Sequence, residues 1–449
     1  MTRFLALWER MRGTYWAVPS AMAAASVVFS IVMIDVDRAL TAQLLNELSW
    51  VYRGGPEGAR AVLSTIAASM ITVAGVVFSI TIVALTLASQ QFGPRLLRNF
   101  LRDLGNQVTL GTFVSTFIYC LVVLRTVRGT DDEQFVPHLA VTVGVVLAML
   151  SLGVLIFFIH HVATSIQVSQ VIANVAADLE GAIDRLFPDQ MGRGPVPDPS
   201  ERAAHAPSPT FEGAHAVVAV GGGYVQAVDS ARLLKLAKKN NLVLRLDSRP
   251  GTFVRSGIPL VSVAPPFTPA DDVEESVRTT FIIGAERTGT QDLGFFVDQL
   301  VELAVRALSP GINDPATART CIDRLEQALC HLAGRRMPPA YRHDDDGTLR
   351  VVARAVTFVG MLDLAFTEIA RYGRSSVSVS CRLLEALRDL APCVTDEEDR
   401  LALVRHAAFV GDRSAVPFDN EMDRAELAGC YRAALSALHP PDVSDLPRA

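Results

Sequence analysis

Four stretches of this 449-residue chain contain no Asp, Glu, Lys or Arg: Tyr15–Ile34, Ala61–Ala88, Leu104–Leu124 and Pro137–Ile159. Each is long enough to cross a hydrocarbon core about 30 Å thick. Buried helices of such length in soluble proteins carry a charged stripe, so the missing charge excludes a wholly soluble chain. The six cysteines form no Cys-x-x-Cys pair, which excludes a zinc ribbon. Nucleophile elbow, zinc-protease helix, Walker lysine motif and kinase signatures are all missing, so no enzyme activity, metal or cofactor is expected. Nor is there an internal repeat, which argues against the paired halves of many secondary transporters. The formal charge is -6, and no nucleic acid is expected among the partners.

What is present is apolar. Half of the residues are hydrophobic and the mean hydropathy is positive. Arginine gathers at the amino terminus (Arg3, Arg10, Arg12) and in the second connection (Arg95, Arg98, Arg102). The first connection mixes Arg38, Arg53 and Arg60 with Asp35, Asp37, Glu47 and Glu57, and the third holds Asp131, Asp132 and Glu133. Basic connections stay on the cytoplasmic side, so both termini are expected there. The charged start and Ala23-Ala24-Ala25 have the layout of a secretory signal, yet half of the apolar run follows those alanines, as in an uncleaved anchor. Met1–Met11, with Phe4, Leu5, Leu7 and Trp8, reads as an interfacial helix. A cytoplasmic carboxy-terminal region keeps Cys321, Cys330, Cys381, Cys393 and Cys430 reduced, so no disulfide is expected.

The apolar recurrence continues from His160 to Phe187 through Val162, Ile166, Val171, Val175, Leu179, Ile183 and Leu186, which predicts one helical stalk leaving the bilayer. Pro188 ends it, and Asp189–Thr210 reads as a linker. AVVAV, YVQAV, LVLRL, TFVRS and PLVSV between Ala214 and Val263 are short β-type runs, with one helix at Ser230–Lys239. Gly221-Gly222-Gly223 lacks the Gly-Lys-Ser/Thr of a phosphate loop and opens no helix, so it reads as a tight strand entry. The strand order resembles a lipoyl or biotinyl carrier module. Such a module needs a lysine at a hairpin tip, and Lys235, Lys238 and Lys239 fall on the predicted helix. Helical spacing then returns at Asp271–Ile283, Leu293–Leu308, Ala316–Ala333, Val351–Tyr372, Val377–Leu390, Asp396–Val410 and Asp423–Leu438.

The expected architecture is a mainly α membrane protein. It has a four-span domain (1–160), a stalk helix (161–187), a linker (188–213), a small β-rich module (214–268) and a cytoplasmic helical domain (269–449).

Four segments carry a resemblance. They are GVVFSITIVALTLASQQFGPRLLRNFLRD from Gly75, HHVATSIQVSQVI from His160, ERTGTQD from Glu286 and ALSPGINDPATA from Ala307. Together they resemble a bacterial family of predicted integral membrane proteins known as domain of unknown function 2254. The resemblance implies a multi-span membrane protein with a cytoplasmic carboxy-terminal region, and the bacterial inner membrane is its expected location. It supplies no catalytic residues.

Three constellations are candidate sites. Thr65, Thr72, Ser79 and Thr86 recur every seven residues, close to two helical turns, with Ser69 and Gly75 on the same side. Such a stripe serves close helix packing or forms a water-contacting wall for ions. Gln90 and Gln91 mark the watery end of that span, which at 1.5 Å per residue reaches about 42 Å over Ala61–Ala88 alone. Past Gly93-Pro94, Arg95, Arg98 and Arg102 lie opposite Leu96, Leu97, Phe100 and Leu101, fit for lipid headgroups or for a cationic ring at a pore mouth. Arg287, Gln291, Asp292, Asn313 and Asp314 make the most polar soluble set, in which Asn313 or Asp314 suits the cap of a helix starting at Pro315. His160 and His161 are adjacent, so they cannot share one metal as an i, i+4 pair can. His343–Gly347 has hairpin-turn chemistry without the spacing of a calcium loop.

These features predict a homo-oligomeric ion channel or pore-like conduit with a cytoplasmic assembly or gating region, lipid contact, and ions as possible cargo. The alternative is a non-conducting sensor or scaffold that binds a cytoplasmic protein or small ligand. A lipid-modifying enzyme requires a buried acid, base or metal near His160 or Gln90.

Overall fold

The computed structural model describes residues 15–39, 52, 54–92, 103–130, 133–187, 211–265, 271–335, 337–354, 356–411 and 420–438. The expected interfacial helix at Met1–Met11 and the linker residues 188–210 lie outside them. The chain divides into two compact units, Met1–Gln170 and Val171–Ala449.

In the first unit, α1 (Ala17–Ala39), α2 (Pro56–Phe92), α3 (Leu104–Leu124) and α4 (His138–Ser165) correspond to the four uncharged runs. All four are long and apolar enough to cross a membrane. The hairpin β1 (Arg128–Thr130) and β2 (Glu133–Phe135) joins α3 to α4. α3 is the hub, packed against α1, α2 and α4. Close approach is possible because Gly111 faces Met22 and Pro19, while Gly144 faces Leu63 and Cys120. Phe113, Tyr119, Cys120 and Val123 of α3 are buried. Its polar groups bond within the bundle: Ser26 Oγ donates to Ser115 O at 2.6 Å, and Tyr119 OH donates to Ala140 O at 2.9 Å.

The expected single stalk is two helices. α4 ends at Ser165 and α5 begins at Val168 and runs to Leu186. Thr164 Oγ1 and Ser165 Oγ both donate to His161 O, at 2.9 and 2.7 Å, and compete there with main-chain bonding. α5 is also buried in the second unit along one face, through Ile172, Val175, Leu179 and Ile183.

The second unit contains β3 (His215–Val218), β4 (Gly223–Val228), α6 (Ser230–Lys239), β5 (Val243–Leu246), β6 (Phe253–Val254) and β7 (Pro259–Ala264), at the β-type runs and the helix read from sequence. Asp229 caps α6 by accepting from Arg232 N. Gly223 has φ +156, and a Cβ there would lie 2.6 Å from Gly284 O, so the third glycine of the triplet is the tight strand entry.

Later segments complete the sheets, and two expected helices are corrected. Asp271–Ile283 divides into α7 (Asp271–Arg278) and β8 (Phe281–Gly284), which pairs antiparallel with β4. Val351 belongs to β10 (Leu349–Val352), paired antiparallel with β9 (Tyr341–His343) and parallel with β5. The larger sheet has the order β3-β7-β5-β10-β9 and the smaller β6-β4-β8. The expected turn at His343–Gly347 joins β9 to β10, with Asp344 accepting from the amides of Asp346 and Thr348. Apolar periodicity misreads Phe281–Ile283 and Val351 because short buried strands carry continuous apolar runs.

The helical part holds α8 (Gly294–Ala307), α9 (Pro315–Ala333), α10 (Phe358–Tyr372), α11 (Val377–Leu390), α12 (Glu397–Gly411) and α13 (Glu421–Leu438). Leu179 and Ile183 of α5, Val297 of α8, Leu325, Leu329 and Leu332 of α9 and Met361 of α10 close around a gap of about 10 Å³. That is at the lower limit for one water molecule. Arg382 bridges α11 to α9 through Asp323 and Glu326.

Cys330 and Cys393 are joined by a disulfide, contrary to the reduced state expected from sequence. The fold brings residues 63 apart to a Cα separation of 5.4 Å, inside the bonding range. Denatured, unreduced protein should therefore take up a maleimide at Cys120, Cys321, Cys381 and Cys430, and at Cys330 and Cys393 only after reduction. Leu325→Ala should destabilise the second unit by about 2–5 kcal/mol, measured as a lower denaturant midpoint, because Leu325 is buried where several helices meet.

Candidate functional site

α2 has two faces of different character. Leu63, Ala67, Ala74, Val77, Thr81, Ala84 and Ala88 recur at steps of three, four or seven residues and are buried. They pack toward α3 and α4. Thr65, Thr72, Ser79 and Thr86 are all exposed, so the hydroxyl stripe is not packed within its own chain. Thr65 Oγ1 donates to Ala61 O, Thr72 Oγ1 to Ala68 O and Thr86 Oγ1 to Ile82 O, at 2.7–2.8 Å. Satisfied in this way, the three threonines tolerate an apolar neighbour and still offer oxygen lone pairs. A Cβ at Gly75 would meet nothing within 4 Å, so the middle of this face is open.

Gln90 lies exposed near the end of α2, and Gln91 is in its last turn. Arg95, Arg98 and Arg102 lie outside the described residues. At Asp103, one carboxylate performs two tasks. It caps α3 by accepting from Asn106 N at 3.1 Å, and it bonds His161 Nε2 at 2.8 and 3.0 Å. Phe157 stacks on the His161 ring with centroids 5.2 Å apart. Asn106 is fully buried, and its side-chain amide has no protein partner. Asp103 and His161 are an acid and a base beside His160, the position a lipid-modifying enzyme requires. Among the described residues no group of three metal-ligating side chains joins them. What the pair does visibly is join the start of α3 to the last turns of α4.

The opposite ends of α1 and α4 are joined by a second carboxylate. Asp37, placed by sequence in a connection, lies in the last turn of α1 and is buried. It accepts from Leu139 N at 2.9 Å and Ala140 N at 2.7 Å, capping α4 across the bundle. His138 Nδ1 bonds Tyr52 O at 2.8 Å beside it. No local pattern announces either tie, because each partner lies tens of residues away in sequence.

In the second unit, the Glu286–Asp292 segment is a clamp. Arg287 bonds Asp292 and Asp298. Burial opposes the Arg287 charge, and these two carboxylates more than offset that, so its pKa is raised. Gln291 accepts from Val228 N at 2.9 Å and donates to Val228 O at 3.2 Å, as a strand would. Gly251 has φ +87, and a Cβ there would lie 2.2 Å from Asp292 Oδ2, so only glycine fits. Asp314 caps α9, accepting from Ala316 N and Thr317 N at 3.1 Å and from Thr317 Oγ1 at 2.6 Å. Asn313 takes φ +49 just before it. Among the described residues, no hydrogen bond joins 287–292 to 313–314. The two motifs do separate structural work.

A family model described as a predicted membrane protein, domain of unknown function 2254, matches residues 12–389. The chain belongs to this family. Relatives include proteins of Mycobacterium bovis and Mycobacterium tuberculosis, each described as uncharacterised. Both are 33% identical over 448 residues, covering 98% of this chain and 84% of the relative. No solved structure matches.

The Thr317 hydroxyl and then its amide hold the Asp314 carboxyl below the usual carboxylate range. A depressed pKa gives stability that is present above the unfolded value of about 4 and is lost as pH falls through the folded value. Asp314→Ala should therefore cost about 0.5–2 kcal/mol at neutral pH. The gap between variant and wild type should close below about pH 4, read from paired denaturation curves.

Proposed function

We propose that the protein is a homo-oligomeric conduit for ions, in which the exposed face of α2 lines a path between copies. The observation that carries this reading is the position of the hydroxyl stripe. Thr65, Thr72, Ser79 and Thr86 are exposed rather than buried in their own bundle, as is Gly75, whose surface is open. A second copy packed there would meet small groups that permit close backbone approach. A gap between copies would be lined by oxygen atoms without a buried charge. No catalytic role is assigned.

The second unit is proposed to assemble or gate the conduit from the cytoplasm, with both termini on that side. Arg3, Arg10, Arg12, Arg95, Arg98 and Arg102 support the orientation. The Cys330–Cys393 bond favours an oxidising compartment. A fluorescent protein fused to the carboxy terminus settles the opposition, since fluorescence is expected only if that end stays in the cytoplasm.

In liposomes, the wild-type protein should pass ions under applied voltage. Loss of one hydroxyl partner, at about 1 kcal/mol, should lower flux about fivefold in Thr72→Val and again in Ser79→Val. The mass of the detergent-solubilised particle should be a multiple of the chain mass. A strict monomer, or no flux under varied voltage, tension and pH, overturns the proposal in favour of a non-conducting sensor or scaffold.

A further inference from the structure

The second unit contains a cavity of about 250 Å³ between the first turns of α6 and the β5–β10 part of the larger sheet. Leu233 and Val351 are its buried floor, Leu234 and Leu246 its half-buried walls, and Ser230 lies exposed at its rim. Arg342, from β9, also lines it.

Arg342 differs from the other arginines of this sheet. Arg350 bonds Asp344 at 2.7 Å and Asn241 at 2.9 Å, and Arg245 bonds Asp247 at 2.9 Å and Ser262 at 3.1 Å. The Arg342 side chain is half-buried and forms no hydrogen bond or ion pair among the described residues. Removal from water alone lowers its pKa. An arginine keeps its charge under such conditions, and an unpaired, partly desolvated guanidinium is costly unless an anion completes it. Three acids of the adjoining turns have other partners: Asp344 is bonded to Arg350, Asp346 to Lys238, and Asp229 to the α6 amide of Arg232.

We infer that this cavity binds a small organic carboxylate, its two oxygens on the Arg342 guanidinium and its aliphatic body against Leu233, Leu234, Leu246 and Val351. One planar cation suits a carboxylate, which it binds through two parallel hydrogen bonds. A phosphate dianion would be left half neutralised among leucines. The cavity, at about 250 Å³, has room for an aliphatic body the size of a six-carbon acid. The Ser230 hydroxyl lies at the rim, where it can donate to an oxygen of the ligand. This site is independent of the conduit reading, since it requires neither ion flux nor oligomerisation.

The test is equilibrium dialysis of radiolabelled hexanoate against the full chain in lipid nanodiscs, with uptake by empty nanodiscs subtracted. Saturable binding of one hexanoate per chain is expected, with no competition from hexanol at equal concentration. Arg342→Gln should weaken binding at least about tenfold, the loss of one charge-assisted pair. Arg342→Lys should retain part of it. Leu234→Trp, which fills the cavity and leaves the arginine in place, should abolish binding with an unchanged thermal midpoint. This second variant decides the matter if Arg342→Gln fails to fold. The inference is overturned by the absence of saturable uptake, by unchanged affinity in Leu234→Trp, or by unchanged affinity in a folded Arg342→Gln. Competition from inorganic phosphate as strong as that from unlabelled hexanoate also overturns it.

Discussion

Lipid offers no hydrogen bonds, and the first unit is organised around that fact. Every polar group of a spanning helix must find its partner in the protein or pay several kcal/mol. Threonine hydroxyls therefore bond the preceding turn of their own helix, as at Thr65 and Thr72. The free amides at the starts of α3 and α4 receive carboxylates, from Asp103 in the adjoining connection and from Asp37 across the bundle. These two acids also set the pairing, since Asp103 holds α4 through His161 and Asp37 holds α4 to α1. Their charges stabilise helix ends while the helix surfaces remain free of charge.

The second unit carries many charged side chains and uses different means. Its strands tolerate arginine and aspartate at their edges, its helices are amphipathic, and its loops are pinned by side chains that act as backbone. Gln291 takes the place of a strand against Val228. Glycine is required where a carboxylate presses on the main chain, as at Gly251 beneath Asp292. ERTGTQD is thus a structural clamp, although its density of polar groups suggests a ligand site. SPGINDP makes a turn and a cap. Arg342, half-buried and unpaired among the described residues, comes from a strand without any distinctive motif.

The spans and α6 were legible because their signals are local. Uninterrupted apolar length needs no knowledge of neighbours, and Ser230–Lys239 has an aspartate before it and lysines in its last turn. The β-type runs between Ala214 and Val263 were legible for the same reason, bounded as they are by glycine and proline. Phe281–Gly284 and Leu349–Val352 were not, since their strand state depends on β4 and β5 waiting to pair with them. The Asp103–His161 and Asp37–Ala140 ties and the Cys330–Cys393 bond join residues 58 to 103 positions apart. Composition and periodicity carry no record of such distances. The hydroxyl stripe was visible as spacing, but its exposure depends on which side of α2 meets α3.

The larger sheet has a consequence for how this chain is made. β5 is an interior strand whose parallel neighbour, β10, lies about a hundred residues downstream. While the ribosome is delivering that interval, β7 can pair with one edge of β5 but the other edge presents main-chain donors and acceptors with nothing beside them, a surface prone to adhere to other nascent chains. The four apolar helices emerge first and can be placed in the bilayer on their own. Biogenesis is therefore split in time: insertion of the helices can precede the sheet, which must wait until β10 has been made.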